Sequence, residues 1–191
     1  MSMVHTHTET MSEKAYRDLA LDDSGERWEL VRGQLWERPG MSVTHDRTTM
    51  KVVGLLLRQL DWEEFWVSAS LARLRVSADT YYIPDVAVIP MTMVRRLAEP
   101  PRALDAYAEP VPLVVEVWSP STGKRDIELK LPDYQRRSDL EIWFIHPFER
   151  TLTAWRRQRD GSYHDTLYRE GIVRPDSLPL VAINLDELFA S

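Results

Sequence analysis

The stretch "PLVVEVWSPSTGKRDIELKLPDY", residues 112–134, decides the fold. Its first half is an apolar run, Leu113, Val114, Val115, Val117 and Trp118, with a single carboxylate, Glu116, inside it. A short β-branched run closed by Ser-Pro-Ser-Thr predicts a strand buried on both faces. A carboxylate in that setting is costly unless it is neutralised, paired or bound to a metal. The second half spaces Asp126, Lys130 and Tyr134 at i, i+4 and i+8, along one face of a predicted helix.

Upstream, "YYIPDVAVIP" (81–90) reads as another short strand, stopped by Pro90. Strand alternation sets Val86 and Val88 on one face and Asp85, with Ile83 and Ala87, on the other. Pro-Asp before an apolar run is, by itself, a turn in which Asp bonds local backbone. Two acids on adjacent strands are more than that. Asp85 and Glu116 together would offer oxygen ligands to a hard divalent ion, whose charge would offset the cost of burying them. The plainer alternative pairs Glu116 with a buried Arg or Lys. Lys130 is the candidate ammonium beside Glu116, although Asp126 and Lys130 could form only a plain helical ion pair. Lys124 is its rival, in what reads as an exposed loop.

Further outward, Thr10 and Glu13 have capping-box spacing ahead of a helix over 13–20. Residues 27–37 predict two strands turning at Arg32-Gly33, and 42–60 a helix capped by Thr44 or Asp46. One strand is expected over 65–77 and a short helix near 93–98, within the proline-bearing loop 91–112. A helix over 124–138 is flawed at Pro132, so it either kinks there or begins there. A strand over 140–147, a hairpin turning at Asp160-Gly161 and a closing strand and helix within 178–190 complete the chain. This order predicts an α/β fold with a mixed β-sheet flanked by helices. Without repeats or a long linker, residues 1–191 read as one domain, with a core over about 10–160 and a closing segment over 161–191.

Composition narrows the function. The absence of cysteine excludes disulfides and thiolate metal sites. No apolar run approaches the roughly 20 residues of a membrane span, and the polar start "MSMVHTHTET" is unlike a signal peptide, so a cytoplasmic protein without membrane partners is expected. A net charge of −6 argues against a protein that coats nucleic acid. The charge is uneven, however: residues 124–159 carry nine Lys or Arg against six Asp or Glu. Arg136, Arg137, Arg156 and Arg157 are the expected phosphate contacts. G-x-S-x-G, H-E-x-x-H and P-loop motifs are missing, which disfavours a small-molecule hydrolase.

In this order and spacing, "RWELVRGQL" (27–35), "IPDVAVI" (83–89), residues 112–134 and "LEIWFIHP" (140–147) resemble the bacterial restriction-endonuclease family called Uma-type, in the PD-(D/E)XK nuclease superfamily. The resemblance spans about residues 10–160. It implies a restriction-endonuclease-like core and Mg²⁺-dependent hydrolysis of DNA phosphodiesters, with Mn²⁺ able to substitute. It further implies that Asp85 and Glu116 bind the metal, that Glu29 is the acid of the early strand beside the site, and that Lys130 is the family's helix-borne lysine. His45 matches a position where the family often has histidine, although an ordinary helix-start residue is the plainer reading. A homodimer is implied because two strands of a duplex require two cuts.

Three departures stand out. The superfamily's usual lysine, two positions after the second acid, is Trp118 here. The family's usual Tyr-Trp is Ile142-Trp143, and its usual Asp-Pro is His146-Pro147. The alternative function is a catalytically inactive nuclease-fold module for DNA binding or interaction, which the sequence pI of ≈ 5.4 favours.

Overall fold

Two sheets share the buried space, and the chain passes between them twice at Asp85's corner. The computed structural model describes residues 10–22, 28–98 and 104–190; the expected strand's first residue, position 27, and two prolines of the 91–112 loop, positions 100 and 101, lie outside them. The smaller sheet contains β1 (Trp28–Val31), β2 (Gln34–Glu37), β4 (Arg73–Ser77), β5 (Thr80–Tyr82) and β7 (Ala106–Tyr107), in the order β2-β1-β5-β4-β7. The larger contains β3 (Phe65–Ala69), β6 (Val86–Pro90), β8 (Leu113–Val117), β9 (Glu141–His146), β10 (Thr151–Arg157) and β11 (Tyr163–Tyr168), in the order β11-β10-β9-β8-β6-β3. Within the larger sheet β8 and β9 run parallel and the other pairs antiparallel, so the sheet is mixed. Helices α1 (Glu13–Ala20), α2 (Val43–Leu57) and α3 (Met91–Ala98) flank the sheets. No helix among the described residues is long and apolar enough to cross a membrane.

The single strands expected over 65–77 and 81–90 are each two strands, one in either sheet. The first breaks at Ser70, whose φ of 51° lies in the left-handed region, and the second at Pro84, which lacks a ladder donor. The Ser70 N–H donates to the Asp85 carbonyl at 2.9 Å, which ties the two crossings together. Asp85 therefore sits where the sheets meet.

Alternation along β8 then assigns the faces. Leu113, Val115 and Val117 pack with Val52 and Leu56 of α2 and with Val181, Ile183 and Leu185 of the C-terminal segment. Val114 points the other way, into a core with Leu74 and Tyr82 of the smaller sheet and with Leu131 and Tyr134. Glu116 shares Val114's parity, so it faces the space between the sheets.

Helix caps differ from the expected ones. The hydroxyls of Ser12 and Ser42 accept the N–H groups of Ala15 and His45, so neither Thr10 nor Thr44 or Asp46 caps its helix. The hairpin at Arg32-Gly33 has φ of 51° and 77°, the paired positive values of a type I′ turn. Helix α4 (Gly123–Arg125) leads into a π-helical turn (Asp126–Lys130) and then α5 (Leu131–Arg136). Pro132 lies in the first turn of α5, with Lys130 at its N-cap, so a helix does begin there. Pro132 has no N–H to give, and the Leu131 N–H reaches back five residues to the Asp126 carbonyl. At the C-terminus β12 (Ile172–Val173) pairs with β13 (Ile183–Asn184), followed by α6 (Leu185–Leu188).

Candidate active site

Four acids and three fixed cations converge on one cavity. Asp85, at the sheet crossing, accepts Arg38 Nη2 on Oδ1 at 2.7 Å and lies 3.0 Å from His45 Nε2 on Oδ2. Its Oδ2 also accepts the Val117 N–H at 2.8 Å, which fastens Asp85 to the end of β8. Because Val86 pairs with Val115, Asp85 stands beside Glu116 across the ladder. Glu116 Oε1 accepts Lys130 Nζ at 3.1 Å and the Tyr134 hydroxyl at 2.6 Å, while Oε2 accepts no hydrogen bond among the described residues. Glu29, from β1, accepts the Ile83 N–H at 3.0 Å, lies 3.0 Å from Lys130 Nζ and holds Arg125 at 2.9 Å.

The structure thus brings Asp85, Glu116, Glu29, Lys130 and His45 together. Lys124 lies outside the group, exposed and 3.7 Å from Glu128. The π-turn supplies Asp126 as well: its Oδ1 is buried, 3.3 Å from Lys130 Nζ, and accepts no hydrogen bond among the described residues. His45 Nδ1 is likewise buried and has no hydrogen-bond partner among the described residues. These residues line a cavity of about 30 Å³ with Arg38, Pro39, Gly40, Met41, Ser119, Thr122 and Arg125, which is room for one or two waters.

The charges explain the protonation. Burial raises the Glu116 carboxyl to about 8, and the Asp126 and Asp85 carboxylates add to that rise while Lys130 opposes it. Burial acts the same way on Glu29, but Lys130, Arg125 and Arg38 outweigh it and hold that carboxyl below its ordinary value. Asp85 is likewise held low against burial, by His45 and Arg38. Lys130 is held above its ordinary value despite burial, because Glu116, Glu29 and Asp126 surround it. Glu29, Asp85, Glu116 and Asp126 outnumber Arg38, Arg125 and Lys130 by one, with His45 beside Asp85 as the remaining ionisable side chain of the cavity. The excess carboxyl must hold a proton or meet another cation.

That surplus, with Oε2 of Glu116 and Oδ1 of Asp126 free of hydrogen bonds, suits a small oxygen-liganded cation. Among the described residues no three His, Asp or Glu side chains form a metal cage. An ion here would therefore rest on one or two carboxylates plus waters.

Sequence reading missed Arg38 and Arg125. Arg38 follows β2 in a segment without periodicity, ahead of Pro39-Gly40, and nothing local marks it. The surplus of buried acids over one lysine was the available signal, although it gives no address. Two expected phosphate contacts are absorbed by the fold. Arg137 is 8% exposed and bonded to Asp139 and to the carbonyls of Tyr107, Glu109 and Arg75. Arg156 bonds Glu141, the Tyr168 hydroxyl and the Arg174 carbonyl. Arg136 is exposed but paired with Asp133.

Known proteins resemble this chain as follows. The Uma2 family model, described as "Putative restriction endonuclease", matches residues 14–186. A crystal structure titled as a putative nuclease belonging to DUF820, from Anabaena variabilis, aligns with a TM-score of 0.74 at 15% identity, covering 94% of this chain and 98% of that one. That likeness carries the fold, with mixed sheets flanked by helices. No curated protein matches the sequence.

Proposed function

This chain belongs to the Uma2 family, and on that premise we propose that it is a Mg²⁺-dependent endonuclease hydrolysing phosphodiester bonds in DNA, with Mn²⁺ able to substitute. The observation that carries the reading is Glu116: a buried strand carboxyl with one oxygen that accepts no hydrogen bond among the described residues, beside Asp85 as a second acid across the ladder. Asp85 and Glu116 would hold the ion. When bound, it would stabilise charge on the phosphate and lower the pKa of a coordinated water.

The remaining work falls to the chain's own side chains. Lys130, fixed between Glu29 and Glu116, is positioned to orient the attacking water or to steady charge on the phosphate. Glu29 acts through Lys130, which it holds 3.0 Å away, and through Arg125. The Tyr134 hydroxyl occupies Oε1 of Glu116 and so leaves Oε2 to the cavity. Cutting both strands of a duplex calls for two such sites, so the working form is a homodimer, acting in the cytoplasm.

The test is nicking of supercoiled plasmid by the wild type and by Glu116→Ala, purified identically. Mg²⁺- or Mn²⁺-dependent nicking by the wild type, abolished in the variant and by chelator, is the expected result. One observation favours the second reading, an inactive DNA-binding module: Asp85 is already occupied by Arg38, His45 and the Val117 N–H. DNA binding without nicking in any divalent ion, or equal nicking by both proteins, would select it.

A further inference from the structure

Arg38 stands against Asp85 where a cation would stand. Its Nη2 is 2.7 Å from Asp85 Oδ1, and this is the one ion pair it makes among the described residues. The other two fixed cations of the cavity are locked. Arg125 is bonded to Glu29 at 2.9 Å and lies over the Trp36 ring at 4.4 Å from its centroid. Lys130 is shared by Glu29, Glu116 and Asp126. Arg38 also differs in its backbone. It lies between β2 and α2 outside regular structure, followed by Pro39 and Gly40, and a Cβ at Gly40 would meet nothing within 4 Å. Arg38, Pro39, Gly40 and Met41 together form one wall of the cavity.

We propose that Arg38 is an exchangeable latch on Asp85, which neutralises that acid in the free protein and transfers to a substrate phosphate when a divalent ion takes its place. The proposal rests on the metal-dependent nuclease reading and specifies how that site is filled. A divalent ion on Asp85 and a guanidinium on the same carboxylate repel at close range in a partly buried site. The ion therefore binds weakly while Arg38 stays. A phosphate oxygen pair matches the guanidinium fork and supplies the negative charge that lets Arg38 leave Asp85 without being stranded. Ion and phosphate consequently bind with positive coupling, and the coupling is reciprocal.

The experiment is calorimetric titration of Mn²⁺ into the full chain, with and without a DNA duplex carrying phosphorothioate linkages. Wild type, Arg38→Gln and Arg38→Lys are compared, each checked for folding by circular dichroism. Without DNA, Arg38→Gln should bind Mn²⁺ about ten-fold tighter than wild type, a coupling of ordinary size. DNA should tighten Mn²⁺ binding by wild type about ten-fold and leave Arg38→Gln unchanged. Arg38→Lys keeps the charge and loses the fork, so it should bind Mn²⁺ as weakly as wild type and show reduced coupling. That second variant decides the matter even if Arg38→Gln does not fold. Equal Mn²⁺ affinity and equal coupling in wild type and the folded variants would overturn the latch alone. No Mn²⁺ binding by any of them, with or without DNA, would overturn the metal-dependent reading and the latch with it.

Discussion

Gly123 lacks a side chain where the Trp118 indole needs the space: an ideal Cβ on Gly123 would overlap Trp118 Cδ1 and Nε1. Trp118 is also stacked on His146, with ring centroids 4.2 Å apart. The position two residues after Glu116 is thus spent on packing, and Gly123 sets the start of the helical segment that returns Lys130 to the site. Gly123→Ala should cost about 1–3 kcal/mol by overpacking. Trp118→Leu in the same chain should recover part of that loss, a coupling that urea unfolding of the four proteins in the cycle would read.

The Glu116 proton gives stability a direction in pH. Above about 4.5 the unfolded chain has released this proton, whereas the folded chain keeps it until about 8. The folded state therefore binds more protons across that window, and metal-free stability should fall as pH rises through it. Glu116→Gln, which stays neutral, should flatten this part of the profile. Mn²⁺ should oppose the fall in the wild type, because the ion competes with the proton for the same carboxyl. Thermal unfolding from pH 5 to 9, with and without Mn²⁺, checks both statements.

Much of this site was legible because strand parity and helical spacing are local. Asp85 opposite Val86 and Val88, Glu116 within an apolar run, and Asp126, Lys130 and Tyr134 on one helix face all follow from periodicity, and the structure gathers them. What stayed hidden is non-local. The breaks at Ser70 and Pro84 look like irregularities in a strand until two separate sheets require a crossing. Arg38, Arg125 and Arg137 were illegible for a related reason. A guanidinium's partner is set by tertiary placement, so a charge count over residues 124–159 credited Arg137 to the surface when it is buried among carbonyls.

Lys130 should prove structural as well as functional. Its ammonium is buried and serves Glu29, Glu116 and Asp126 at 3.0, 3.1 and 3.3 Å. Lys130→Ala strands those acids, so stability should drop by about 3–5 kcal/mol along with any nicking activity. Lys124→Ala, at an exposed side chain, should stay within about 0.5 kcal/mol of wild type and keep its activity. Activity must accordingly be compared at temperatures where circular dichroism finds both variants folded. If Lys124→Ala loses activity and folded Lys130→Ala keeps it, the assignment of the positive group reverses.

DNA affinity should depend on arginines according to what already holds them. Arg137 satisfies the Tyr107 and Glu109 carbonyls at 2.9 and 2.7 Å and pairs with Asp139 at 3.0 Å. Arg137→Ala leaves Asp139 buried and unpaired, so it should destabilise by about 3–5 kcal/mol. Where the variant remains folded, its binding should keep the wild-type dependence on salt, because no phosphate contact has been removed. Arg38→Gln, by the latch, removes one such contact and should reduce the logarithmic salt slope by about one unit. Fluorescence anisotropy on a labelled duplex, across a salt series in the presence of Mn²⁺, separates the two. A slope change in Arg137→Ala and none in Arg38→Gln would mean that the phosphate meets the protein at a different face.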